Sequence, residues 1–138
     1  MLRITSPLPE DLERLAHDVI GCCVEVHRRL GPGLLEGIYP RALRLEFEER
    51  GIPFEAEKSV PVHYRGAVLC HQRLDLLVDG RLVLEVKSVE HLHHLHVAQI
   101  LSYLRVTGAR LGLLINFNVP VLKQGIRRVI LLGSNFVG

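Results

Sequence analysis

The stretch Arg73-Leu74-Asp75-Leu76-Leu77-Val78-Asp79-Gly80-Arg81-Leu82-Val83-Leu84-Glu85-Val86-Lys87 decides how the chain is read. Two apolar runs flank Asp79-Gly80, a dipeptide suited to hairpin turns because both residues tolerate positive φ. Side chains alternate faces along a strand, so Leu74, Leu76, Val78, Leu82, Leu84 and Val86 are expected on one buried face. Asp75, Glu85 and Lys87 then share the other. The outcome depends on the length of the loop. A two-residue loop without a compensating bulge would set the carboxylates on opposite faces. A three-residue loop, Val78-Asp79-Gly80 with Gly80 left-handed as a bulge, keeps them together and pairs Leu77 with Arg81 and Asp75 with Val83.

Two carboxylates and a lysine on one face are, in the plainest reading, solvated residues on the open side of a half-buried sheet. The apolar character of Leu76–Val78 and Leu82–Val86 argues for more than that. A cation is one effective way to keep two close carboxylates ionised in such surroundings. An oxygen-rich site with few protein ligands and several waters suits Mg²⁺.

Working outward, Leu12, Leu15, Ala16, Val19, Cys23, Val26 and Leu30 recur at helical spacing, ending at Gly31-Pro32-Gly33. A second helix is expected from about Leu34 to Arg50, with Leu35, Ile38, Ala42 and Leu45 inward and Gly51 as its stop. Phe54–Tyr64, Val68–Val78 and Arg81–Val89 read as a strand meander with turns at Arg65-Gly66 and Asp79-Gly80. A third helix follows over His94–Thr107, carrying Val97, Ile100, Leu101 and Leu104 on one side and His96, Gln99 and Tyr103 on another. The almost unbroken apolar run Leu111–Phe117 reads as a buried central strand, and Arg128–Leu132 as the last strand. The sum is a mixed α/β domain.

At 138 residues, 48% hydrophobic and 23% charged, the chain has the size and composition of one folded domain, residues 1–138. The formal net charge of +2 permits a polyanionic partner without demanding one. Three cysteines, with no CxxC spacing, suggest neither a disulfide framework nor a zinc knuckle, and fit a reducing cytoplasm. No run approaches the roughly 18 apolar residues of a membrane helix, and the start of the chain carries no apolar signal segment. Pairing of so apolar a small chain with itself, as a homodimer, stays open.

Asp75 with Glu85-Val86-Lys87 resembles the active-site pattern of the PD-(D/E)XK nuclease superfamily, an Asp on one strand and Glu-x-Lys on the next. More narrowly, Gly33-Leu34-Leu35-Glu36-Gly37-Ile38-Tyr39 resembles the naming motif of the GxxExxY family within that superfamily. The likeness extends from about Val19 to Leu131 through Val26-His27-Arg28-Arg29-Leu30-Gly31-Pro32-Gly33, Ala98-Gln99-Ile100-Leu101-Ser102-Tyr103-Leu104 and Gly112-Leu113-Leu114-Ile115-Asn116-Phe117. The resemblance implies a restriction-endonuclease-like core, a mixed central sheet flanked by helices, and metal-dependent cleavage of phosphodiesters in DNA or RNA. Asp75, Glu85 and the Val86 carbonyl would hold Mg²⁺, or Mn²⁺ in its place, and Glu36 would add a ligand to the metal or its water. Lys87 would orient or deprotonate the attacking water and offset phosphate charge. Gln99 and Tyr103, one helical turn apart, would reach the same phosphate or support Lys87.

Read without the resemblance, Glu36 is an exposed helix glutamate and Gln99 and Tyr103 belong to a polar stripe. His27 and Tyr39 read as buried bracing residues. His91, His93, His94 and His96 read as a solvated, partly phosphate-facing loop, since no i, i+4 pair of the helical zinc kind is present. Lys123, Arg127 and Arg128 either approach a nucleic-acid backbone or line a solvated strand edge. The function class that competes with a nuclease is a module that keeps the fold and binds nucleic acid or protein without cleaving.

Overall fold

Helix α1, Glu10–Leu30, begins with Glu10, Asp11 and Glu13 and ends with His27, Arg28 and Arg29, charges that complement the helix dipole at both ends. Gly31, at φ 69°, closes it by donating its N–H to the His27 carbonyl. The buried side is Leu12, Ala16, Val19, Cys22, Cys23 and Val26, with Leu15 packed at its edge and Leu30 left exposed. The computed structural model describes residues 6–132. Residues 1–5 and 133–138, the two ends of the domain expected over 1–138, lie outside the described residues.

The second helix, α2, runs over Ile38–Arg50 and so starts later than Leu34. Pro40 explains the difference: lacking an N–H and fixed in φ, it fits the first turn of a helix and not its interior. Leu34–Gly37 instead turns into the helix, with Ile38 N–H donating to Leu35 and Tyr39 N–H to Glu36. The inward stripe also differs. Tyr39, Leu43 and Phe47 are fully buried, whereas Leu35 and Leu45 are 81% and 68% exposed. Two apolar stripes compete on this segment, and the one with the larger aromatic side chains takes the core.

Five strands follow in the spatial order β1-β2-β3-β4-β5: β1 Phe54–Tyr64, β2 Ala67–Val78, β3 Leu82–Lys87, β4 Leu111–Asn116 and β5 Ile126–Ile130. All neighbours are antiparallel except β3 and β4, which run parallel because α3, His94–Thr107, provides the crossover between them. Helices α1 and α2 pack over Leu76, Val78, Leu82, Leu84, Val86, Leu113 and Ile115. The opposite face is covered as well, with Ile100, Tyr103 and Leu104 of α3 packed on Leu77, Val83 and Leu114. This is the expected helix-flanked mixed sheet. The last strand begins two residues before Arg128, because a 3₁₀ turn at Leu122–Gly125 delivers the chain directly into pairing at Ile126 with Ile115.

In the β2–β3 hairpin the loop has the required parity and a different register. Asp79 and Gly80 both have positive φ, 52° and 66°, and Arg81 N–H donates to the Val78 carbonyl at 3.0 Å, closing a two-residue turn. Val78 then pairs with Leu82, so Arg81 is the surplus residue that acts as the compensating bulge. Leu77 pairs with Val83, not Arg81. One step further along, Asp75 stands level with Glu85 instead of Val83. Leu74 also departs from the expected face, packing with Val60, Leu77 and Val83 beneath α3. The alternation slips beside Glu57 of β1, whose φ of 52° interrupts extended backbone between the pairs Ala56–Leu76 and Lys58–Leu74.

Cys22 and Cys23 are buried and free, and Cys70 is exposed and free. No helix among the described residues is long and apolar enough to cross a membrane.

Candidate active site

Main-chain pairing between β2 and β3 stops at Leu76–Leu84, and two side chains take over where the strands part. Asp75 N–H donates to Glu85 Oε1 at 3.0 Å, and Val86 N–H donates to Asp75 Oδ2 at 2.8 Å. Each carboxylate thus satisfies a backbone donor of the opposite strand that the ladder leaves unpaired. Asp75 is half-buried, whereas Glu85 is only 5% exposed. Burial, and next the negative charge of Asp75, push the Glu85 carboxyl well above the usual range, while the Asp75 N–H and Lys87 pull it down.

Lys87 ends β3 and is paired with Asn116 of β4; its carbonyl accepts from Phe117 N–H at 2.9 Å. The Lys87 ammonium lies 4.0 Å from Glu36 Oε2. The other Glu36 oxygen accepts from Ser88 N–H at 3.1 Å, and Ser88 Oγ donates to the Leu34 carbonyl at 2.8 Å. The turn preceding α2 is therefore stapled to the end of β3, with Glu36 facing Lys87. Tyr39 fixes that turn from beneath: its hydroxyl donates to Gly31 and accepts from Leu34 N–H, and its ring stacks on Phe117 at 4.4 Å. His27 braces the far side through Nε2 and the Val119 carbonyl, 2.8 Å apart.

Tyr103 of α3 is buried, and its hydroxyl is held above its ordinary pKa first by burial and then by the charges of Glu85 and Asp75. It belongs to the same electrostatic neighbourhood as the two carboxylates. Gln99, one turn earlier, is exposed. His96 lies near enough to Lys87 and Glu36 to feel both; burial first, then Lys87 and His93, lower its pKa.

Three contributors have no signature in the chain's pattern. Asn116, 2% exposed, clamps both backbone groups of Val89, accepting from its N–H at 3.1 Å and donating to its carbonyl at 2.9 Å. This fixes the segment that follows Lys87. Ser88 is the second, through the staple described above. His93 and His96 are the third, forming a reciprocal cap on α3 in which the His93 side chain accepts from Leu95 N–H and His96 Nδ1 accepts from His93 N–H. Capping is ordinarily the work of Ser, Thr, Asp or Asn, so a histidine pair gives no warning. Two of the basic residues singled out near the end of the chain are engaged within the protein: Arg128 with Glu13, and Arg127 with the carbonyls of Gln124 and Ile126.

Among the described residues no three His, Cys, Asp or Glu side chains converge as a metal-ligand group. The donor chemistry consists of two carboxylates, one of them poorly solvated. Hard oxygens in small number fit a magnesium-like cation that keeps part of its water, and fit a nitrogen- or sulfur-preferring metal poorly.

The family model for the PD-(D/E)XK nuclease superfamily matches residues 13–129, spanning both site strands, Glu36 and α3. No curated protein and no solved structure matches the chain. With a match over most of its length, and with Asp and Glu-x-Lys on adjacent strands that part around the two carboxylates, the chain belongs to the PD-(D/E)XK nuclease superfamily.

Proposed function

We propose that this chain is a Mg²⁺-dependent nuclease that hydrolyses phosphodiester bonds of DNA or RNA, and that it is of the GxxExxY kind within its superfamily. The observation that carries the reading is the placement of Asp75 and Glu85 across a parted strand pair, with Lys87 two residues beyond. A bound Mg²⁺ would supply Lewis acidity to a phosphoryl oxygen and acidify a water, with Asp75, Glu85 and the Val86 carbonyl as its protein ligands.

The chain's own residues do the rest. Asp75 and Glu85, each anchored by a backbone N–H, are preorganised at the cleft between strands. Lys87, steadied by Glu36, holds a positive charge where negative charge grows on the phosphate. The Tyr103 hydroxyl is protonated at neutral pH, as an ordinary tyrosine is, and serves as a hydrogen-bond donor. Gln99, exposed on the same helix, reaches the substrate strand instead of the carboxylates.

The test is cleavage of single-stranded, duplex and branched DNA and of RNA, with Mg²⁺ or Mn²⁺. At least one of these is expected to be cut, and Asp75→Ala or Lys87→Ala is expected to lower the rate by about 10²-fold or more. Metal binding without cleavage of any of these substrates would contradict the nuclease reading and leave a binding module that retains the fold.

A further inference from the structure

Asp75 opens on a cavity of about 340 Å³ lined also by Gly37, Pro40, Arg41, Arg44 and Glu57. Its volume is at the small end of the range for ligand pockets, suited to one nucleotide unit and too small for a duplex. Two of its lining residues are arginines three positions apart on α2, hence on one side of the helix. Neither is fully used by the protein. No hydrogen bond or ion pair among the described residues engages the Arg41 side chain. Arg44 Nε is buried without a hydrogen-bond partner, and the nearest approach of its guanidinium to a carboxylate is 3.9 Å, to Glu57 Oε1. That oxygen is already held by Arg73 at 2.7 Å.

Arg44 thus has guanidinium donors that the protein leaves largely unmet while its side chain stays 34% exposed, open to an acceptor from outside. The acceptor that suits two arginines is an oxyanion with several oxygens, and phosphate matches the planar fork of donors. The cavity shares a wall with the site through Asp75, so a phosphate seated there would lie beside the bond undergoing cleavage and not at it.

We infer that Arg41 and Arg44 form a subsite for the phosphate that flanks the scissile one on a nucleic-acid strand. The inference rests on the nuclease reading for the identity of the strand, and it deepens that reading by assigning where the neighbouring nucleotide is held. Glu57 acts as its internal counter-ion: with its pKa lowered first by Arg73 and more weakly by Arg44, it stays ionised and keeps Arg44 turned toward the cavity until phosphate arrives. Arg41 and Arg44 bind and position; they take no part in the chemistry at the scissile phosphorus.

The experiment has a binding arm and a cleavage arm. In the first, short fluorescein-labelled single strands of DNA and RNA are titrated in Ca²⁺ with the wild-type protein, the double variant Arg41→Gln/Arg44→Gln and the single variant Arg41→Gln. Arg14→Gln, which removes an exposed charge on α1, is the charge-matched control. The double variant is expected to bind about tenfold more weakly, with a salt slope reduced by about 0.7, the value for one phosphate on a single strand. Arg41→Gln should move the same way in part, and its solvent-exposed position keeps the test valid if the double variant misfolds. In the cleavage arm, the double variant should lose more of its kcat/KM on a longer strand than on a dinucleoside monophosphate, which has no flanking phosphate. Equal affinity of wild type and both variants overturns the subsite and leaves the nuclease reading standing. A loss that is equal on the two substrates overturns it as well. Weakened binding by the variants, with no cleavage by any of the proteins, upholds Arg41 and Arg44 as a phosphate subsite for a bound strand and overturns both its place beside a scissile bond and the nuclease reading.

Discussion

Glu85 sits where a carboxylate is costly. It is 5% exposed, and burial together with the charge of Asp75 raises its pKa above the ordinary 4.5. A folded-state value above the unfolded one means that the folded protein binds the proton more tightly. Stability contributed by the protonated form is therefore complete below about 4.5 and is lost as pH rises through the folded value. In a chelator, Glu85→Gln should melt at a higher temperature than the wild type at neutral and alkaline pH, with the gap closing toward pH 4.5. His96 titrates in the opposite sense, since its pKa is lowered, but it does so in both proteins and cancels from the difference. Thermal melts across this range decide the matter: a wild type equal to or more stable than the variant at neutral pH would show that the carboxylate is not strained. Alternation put Glu85 on one face with Asp75 and Lys87, and the family resemblance made it a candidate site residue. Its strain was not legible, because burial of an odd-numbered position depends on α3 covering the second face of the sheet.

Among the elements, the hairpin shows how far the pattern of residues reaches. The even spacing of Leu76, Val78, Leu82, Leu84 and Val86 determines which parity is buried, and that demanded an odd loop. It does not say which residue is surplus. Asp79 and Gly80 both take positive φ, which closes the turn early and passes the extra residue to Arg81. In α2 the proline at position 40 was a readable start signal, yet the inward stripe was ambiguous, because Leu35 and Leu45 look as apolar as Leu43 until Tyr39 and Phe47 claim the core. The 3₁₀ turn before β5 offers a prediction at this scale. A Cβ added at Gly125 would lie 2.1 Å from the Asn116 carbonyl oxygen, a main-chain atom of β4 that cannot yield alone. Gly125→Ala should destabilise the protein by about 3 kcal/mol, and by displacing Asn116 it should loosen the Val89 clamp behind Lys87. At Gly112 the added Cβ would meet Ile100 side-chain atoms at 2.8 and 2.9 Å, which can rotate, so Gly112→Ala should cost less. Denaturant unfolding of the pair checks the order, and a smaller loss at Gly125 would contradict this packing.

Across the whole molecule, the site gathers four separated segments at the point where the antiparallel hairpin meets the parallel strand pair. The β2–β3 fork provides the carboxylates, the turn before α2 brings Glu36, α3 brings Tyr103 and His96, and β4 brings Asn116. The carboxyl ends of parallel strands are the usual mouths of α/β sites, and Lys87 stands at one. The order of elements was legible because each carries its own period and turn signals, and the mixed sheet was implied by the family resemblance. Convergence was not legible, since Ser88 and Asn116 act through partners tens of residues away, and the local His93–His96 cap uses residues that are not the usual capping types. The central claim is that the parted strands make a divalent-metal site for phosphodiester cleavage, and anomalous scattering from a crystal soaked in Mn²⁺ tests it most directly. A peak bridging the carboxylates of Asp75 and Glu85, absent in Asp75→Ala, is the predicted result; a soaked crystal with no peak at these residues would contradict it.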